Sequence, residues 1–245
     1  MNSNSASFSF TGLALKIVGL VMIVSSLLDY ILMTIPFNPG AREWQIALTT
    51  QFVDRGIIPL VGIVFVLLGY LVDNNSAAPK SRVQDLRFWA LIISSVLGLI
   101  YLLLVPLHFN NVYAQSNQAL EQINQKASQA ETQLEAQTKQ VDELIKNPQR
   151  LAELDKAIAS GQVQGEQLAR LQALKQQLDT FKKDPKALSS QVDTAKKQIS
   201  TGKQDAENRA KTEALKLGLR TGLSSLFLAI GFIALGWTGL RSLGG

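Results

Sequence analysis

The chain has 245 residues, 47% of them hydrophobic, with no cysteine, one histidine and a net charge of +5. That inventory excludes thiol and disulfide chemistry and histidine-rich metal sites. The charge is not a nucleic-acid signal, because residues 109–215 hold 15 Lys and Arg against 14 Asp and Glu, with no basic patch interleaved with aromatics.

Four apolar runs stand out, at residues 12–35, 57–72, 88–107 and 215–240. A bilayer core about 30 Å thick needs roughly 20 apolar residues in a helix. The first, third and fourth runs satisfy this, and the second, near the short limit, is extended upstream by Phe52 and Val53. Burial of all four inside a soluble core is not expected, because the remaining sequence, rich in Gln and Lys, cannot cover four such faces. The first run reads as an uncleaved anchor, since residues 1–11 carry no Lys or Arg and the run exceeds the usual apolar core of a secretory signal.

Short loops with Lys and Arg favour the cytoplasmic side. Lys80, Arg82 and Arg87 lie between the second and third runs, and Arg241 follows the fourth. This places both termini inside and residues 109–215 on the periplasmic or lumenal side. Tyr70, Trp89 and Trp237 then fall at the cytoplasmic interface, whereas Lys211, Lys216 and Arg220 argue the other way. Arg42 and Arg55 sit in the first outer loop beside Glu43 and Asp54.

The polar segment is patterned as helix. Leu120, Ile123, Ala127, Ala130, Leu134, Gln137, Val141 and Leu144 advance by alternating threes and fours, which predicts a thin heptad seam. Asn147-Pro148 supplies a cap and a first-turn proline for a second helix ending near Ser160. Gly161 and Gly165 mark a turn, and Leu168, Leu171, Leu174, Leu178 and Phe181 form the apolar stripe of a third helix. Asp184-Pro185 repeats the cap signal, and the fourth helix carries Leu188, Val192, Ala195 and Ile199 before running past Gly202 into the last span.

The outward arm, residues 109–147, and the return arm, residues 185–215, would rise about 55 Å and about 45 Å as helices. Three Lys against five acids on the first and six basic residues against four acids on the second suit antiparallel pairing. The fold expected is an all-α membrane protein: four transmembrane helices with an extramembrane antiparallel coiled-coil stalk between spans three and four. Its parts are residues 1–108, a three-span membrane region; 109–215, the stalk; and 216–245, the last span.

Charges within apolar runs suggest function by default. Lys16 and Asp29 in the first span lie on different faces and are not expected to pair with each other; Lys16 is placed to snorkel, and Asp29 stands near the opposite interface. His108 ends the third span and reads as interfacial, since one histidine cannot assemble a metal site. Gly62 and Gly69 mark one face of the second span, and Gly218 and Gly222, joined by Ser225 and Ala229, mark the fourth. These small residues predict close helix packing. There is no phosphate-cradling glycine loop, nucleophile elbow or HExxH motif, so no catalytic residue, cofactor or metal is expected.

Three N-terminal spans, a Gln- and Ala-rich coil with SGQVQGEQLARLQALKQQL at 160–178, and a final Gly-rich span together resemble the cyanobacterial HpsJ-like family. That family is associated with hormogonium polysaccharide secretion and gliding motility. The resemblance implies a plasma or thylakoid membrane and an accessory role; it carries no catalytic motif, so no functional residue is transferred. The expected function is a non-enzymatic, membrane-anchored scaffold whose tip stripe, Leu168 to Phe181, binds a protein partner or a second copy. The alternatives are a transporter or channel subunit with Asp29 on a polar path, or a subunit of a large photosynthetic or respiratory complex.

Overall fold

The computed structural model describes residues 3–73, 85–160 and 163–244, with side chains from residue 9 to 243. Lys80, Arg82 and Gly161, used above for orientation and for a turn, lie outside the described residues. The described residues outside loops and turns are helical. In chain order the helices are α1 (Ser3–Met33), α2 (Arg42–Arg55), α3 (Ile57–Val72), α4 (Leu86–Lys146), α5 (Pro148–Ala159), α6 (Glu166–Lys183) and α7 (Pro185–Gly244). Four stretches are long and apolar enough to cross a membrane: residues 9–33 of α1, residues 42–72, α4, and residues 185–243 of α7. Two compact units result, one from residues 1–116 with 212–245 and the other from residues 117–211.

The second stretch differs from the expectation. Arg42, Glu43, Asp54 and Arg55 were assigned to a loop, but they belong to helix α2, which meets α3 at Gly56. Gly56 is required there by space. A Cβ would stand 2.6 Å from the Tyr101 hydroxyl.

In the bundle unit, α1 and α3 touch through glycines. A Cβ on Gly19 would meet the Gly62 carbonyl at 2.5 Å, and one on Gly69 would meet the Gly12 carbonyl at 2.7 Å. Between apolar helices in lipid there is no hydrophobic drive to associate, so close backbone approach through small residues supplies the attraction. The core proper gathers Ile23, Tyr30, Val53, Ile63, Val66, Leu97, Tyr101, Ala229 and Phe232. Tyr101 stacks on Phe232 at 5.4 Å, and Tyr30 stacks on Phe52 at 4.3 Å.

The coil unit is organised by its turns and one seam. Asn147 caps α5 by accepting from the amides of Gln149 and Arg150 at 3.1 and 3.3 Å, with Pro148 in the first turn. Asp184 accepts from the Lys186 amide at 3.0 Å at the start of α7. Gly165 opens α6 with φ of 64°, a conformation that side chains with a Cβ disfavour. Lys175 of α6 pairs with Asp155 of α5, and this hydrogen bond holds the lysine above its ordinary range.

The seam has a different period from the one expected. On α4 the positions that are buried or half-buried include 90, 94 and 97 and then recur every eleven residues: 101, 105, 108; 112, 116, 119; 123, 127, 130; 134, 138, 141. On α7 the same spacing starts at 188, 192 and 195 and continues through 199, 203, 206 to 232, 236 and 239. Gln137, assigned to the heptad seam, is exposed, and Thr138 is half-buried in its place. Eleven residues in three turns is about 3.67 per turn, close to an unstrained helix, whereas a heptad repeat drifts by about 20° per seven residues unless the helices supercoil. An eleven-residue stripe therefore stays on one side of a 60-residue helix without left-handed supercoiling.

Candidate functional site

Two places hold the residues singled out from the sequence. The first is the polar lining of the bundle. Ser94 Oγ donates to the Phe232 carbonyl at 2.7 Å, and Ser225 Oγ donates to the Tyr101 carbonyl at 2.8 Å, so α4 and α7 are cross-linked twice by buried hydroxyls. The Tyr30 and Tyr101 hydroxyls share a hydrogen bond at 2.7 Å, and Tyr101 also donates to the Phe52 carbonyl at 3.0 Å. One phenol thus ties α1, α2 and α4 together. Gly222 admits the Phe109 ring, which a Cβ would meet at 2.5 Å, whereas at Gly218 the nearest Phe109 atom is at an ordinary 3.5 Å. The two glycines are unequal: only Gly222 is required by space.

The charges in the apolar runs are held by helix partners. Lys16 Nζ pairs with Asp73 at 2.8 Å and lies 4.1 Å from the Tyr70 ring centre, which corrects the expectation that it snorkels. The reason is that α3 ends at Asp73 beside Gly12 and Lys16, and an acid at that distance is a better partner than the interface. Arg87 stacks on the same Tyr70 ring and pairs with Asp85 at 2.7 Å. Asp29 pairs with Arg55 at 2.6 Å, both side chains about half exposed, at 45% and 49%. Asp54 takes Arg220 of α7 at 3.1 Å. Adjacent residues of α2 therefore reach opposite ways, one to α1 and one to α7. Arg55 and Asp54 are neighbours in sequence, and helix geometry points them apart.

His108, read as interfacial, is fully buried between helices, with Nε2 3.4 Å from the Leu217 carbonyl of α7. Position 108 falls on the eleven-residue seam, so α7 covers it.

The second place is the stripe of α6. Leu178 and Phe181 are 2% and 7% exposed, closed off inside the coil unit. Phe181 lines a groove with Leu134, Thr138 and Val141 of α4 and Leu188 and Val192 of α7. The stripe is therefore not one continuous docking face. Leu168 and Leu171 are half-buried, and Leu174 is the exposed member at 36%. The C-terminal end of α6, through Gln177 and Phe181, lies against α4 and α7, and Lys175 pairs with Asp155 of α5.

Sequence reasoning found Gly62, Gly69 and Gly222 but missed Gly12 and Gly19, whose spacing of seven mirrors that of Gly62 and Gly69 and was the available signal. It also missed Tyr30, Tyr101 and Ser94, which carry no pattern of their own. Among the described residues no group of three or more His, Cys, Asp or Glu is placed to hold a metal.

Four bilayer-length apolar helices and a polar helical unit between the third and fourth define an all-α membrane protein. A family model described as HpsJ-like protein matches residues 10–241, and the chain belongs to the HpsJ-like family. No curated protein and no solved structure matches it.

Proposed function

We propose that this protein is a non-enzymatic, membrane-anchored scaffold or accessory protein that holds a partner protein by the end of its helical coil. The coil stands on the periplasmic or lumenal side of a plasma or thylakoid membrane, with both termini cytoplasmic. The observation that carries the reading is where apolar surface remains. Among the described residues of 117–211, Leu174 is the exposed large hydrophobic, while the other Leu, Ile and Val side chains of this unit are buried or half-buried. A partner needing an apolar anchor meets one at the α5–α6 hairpin, with Leu168 and Leu171 beside it. The polysaccharide-secretion association of the family makes a component of that export system the client to seek.

The test is purification of the tagged protein from its native membrane in mild detergent, with identification of what stays bound. The reading expects a partner at fixed stoichiometry that is lost when residues 148–183 are deleted and weakened by Leu174→Asp. A partner retained by both variants, or a homo-oligomer with nothing else bound, overturns it.

A further inference from the structure

Three buried side-chain atoms have no hydrogen-bond partner among the described residues: His108 Nδ1, Thr221 Oγ1 and Thr50 Oγ1. They come from three helices but converge on one level of the bundle. On α2, Thr50 lies between Gln45, whose Oε1 accepts from Asn111 at 2.7 Å, and Phe52, whose carbonyl accepts from Tyr101. Tyr101 and Asn111 bracket His108 on α4. On α7, Thr221 lies between Leu217, whose carbonyl meets His108, and Ser225, which bonds Tyr101. Such concentrated dissatisfaction at the chain's one histidine is costly in a closed core, since each orphaned polar group forfeits its interaction with water.

We propose that His108 is a proton-operated clasp, and that charging its ring parts α4 from α7 at this level. In the closed state the neutral ring sits against the Leu217 carbonyl. A second ring proton brings a positive charge that no buried acid faces. From α4 there is none, because residues 88–120 contain no Asp or Glu. From α2, Asp54 is held by Arg220 and Glu43 is exposed at the helix start. From α1, Asp29 is held by Arg55. From α7 come Lys216 and Arg220 and, one turn before Leu217, Glu213, all three exposed to solvent. A ring exposed to water takes the proton near pH 6.5, so acidification selects the parted state. The sign is fixed: closure is unaffected well above that pH and is weakened progressively below it. Proton binding to the open ring alone multiplies the opening constant by about tenfold at pH 5.5 and leaves it nearly unchanged at pH 7.5.

The experiment uses the full chain in nanodiscs. Amide exchange of residues 105–116 and 212–222, corrected for intrinsic rates, is expected to rise about tenfold from pH 7.5 to 5.5, and His108→Gln is expected to abolish that rise. With one histidine in the chain, labelled imidazole gives a single titrating signal, which should charge over the same pH range as the exchange increases. An unchanged pH response in His108→Gln overturns the proposal, as does a ring that stays neutral to pH 5 or one that charges without added exchange. The imidazole titration decides the matter on the wild-type chain even if the variant does not fold.

Discussion

The bundle and the coil use glycine in opposite ways. In the bundle, Gly12, Gly19, Gly56, Gly62, Gly69 and Gly222 each stand where a Cβ would strike a neighbour, and hydroxyls of Ser94, Ser225 and Tyr101 bond across helices. In the coil, Gly202 sits mid-helix with nothing within 4 Å, and Leu178 and Phe181 are the buried hydrophobics among its described residues. The difference follows from solvent. Lipid offers no reward for burying Leu against Leu, so backbone proximity and polar cross-links hold helices together there. Water rewards apolar burial, so the coil needs only a thin aliphatic stripe with one aromatic plug.

The contrast breaks first at its strongest point. Gly62→Leu should cost about 3 kcal/mol or more through overpacking against α1, seen as loss of monodisperse protein in mild detergent; normal recovery would remove the glycine contact from the account. Phe181→Ala should cost about 3 kcal/mol, confined to the coil. Proteolysis and amide exchange of residues 120–200 should change while those of residues 57–72 do not.

A smaller effect sharpens the seam. Thr138→Asp should cost about 1–2 kcal/mol by burying a charge, while Gln137→Asp, at the exposed rim of the same groove, should stay within about 0.5 kcal/mol in coil unfolding. The reverse ranking would restore the heptad. Asn147→Ala removes the cap of α5 and should cost about 1 kcal/mol, read as increased exchange of the first turn after Pro148. Gly202→Ala should stabilise the coil by about 0.5–1 kcal/mol, the opposite sign to Gly19, Gly62 or Gly69, where a Cβ would strike a neighbour.

Much of this was legible in residue order because it depends on local chemistry. Asn147-Pro148 and Asp184-Pro185 announce helix starts through a side-chain acceptor and a missing amide proton, and the structure places helix starts at both. Apolar runs of bilayer length announce spans. The same spacing logic misread what involves a partner. Lys16 looked solitary because Asp73 lies 57 residues away, and His108 looked terminal because apolarity ends there while α4 does not.

By itself, then, the sequence determined the class of fold: four spans, a polar helical segment between the third and fourth, and the turns that divide it. These rest on hydrophobic run length and capping, which act over a few residues. Only the tertiary structure decided which side chains face a neighbour. Heptad and eleven-residue stripes diverge by about 33° per seven residues, too little to separate in a segment of mixed Ala, Gln and Thr. The choice falls to the helix packed alongside, and with it the exposure of Gln137, the burial of Thr138 and the enclosure of His108.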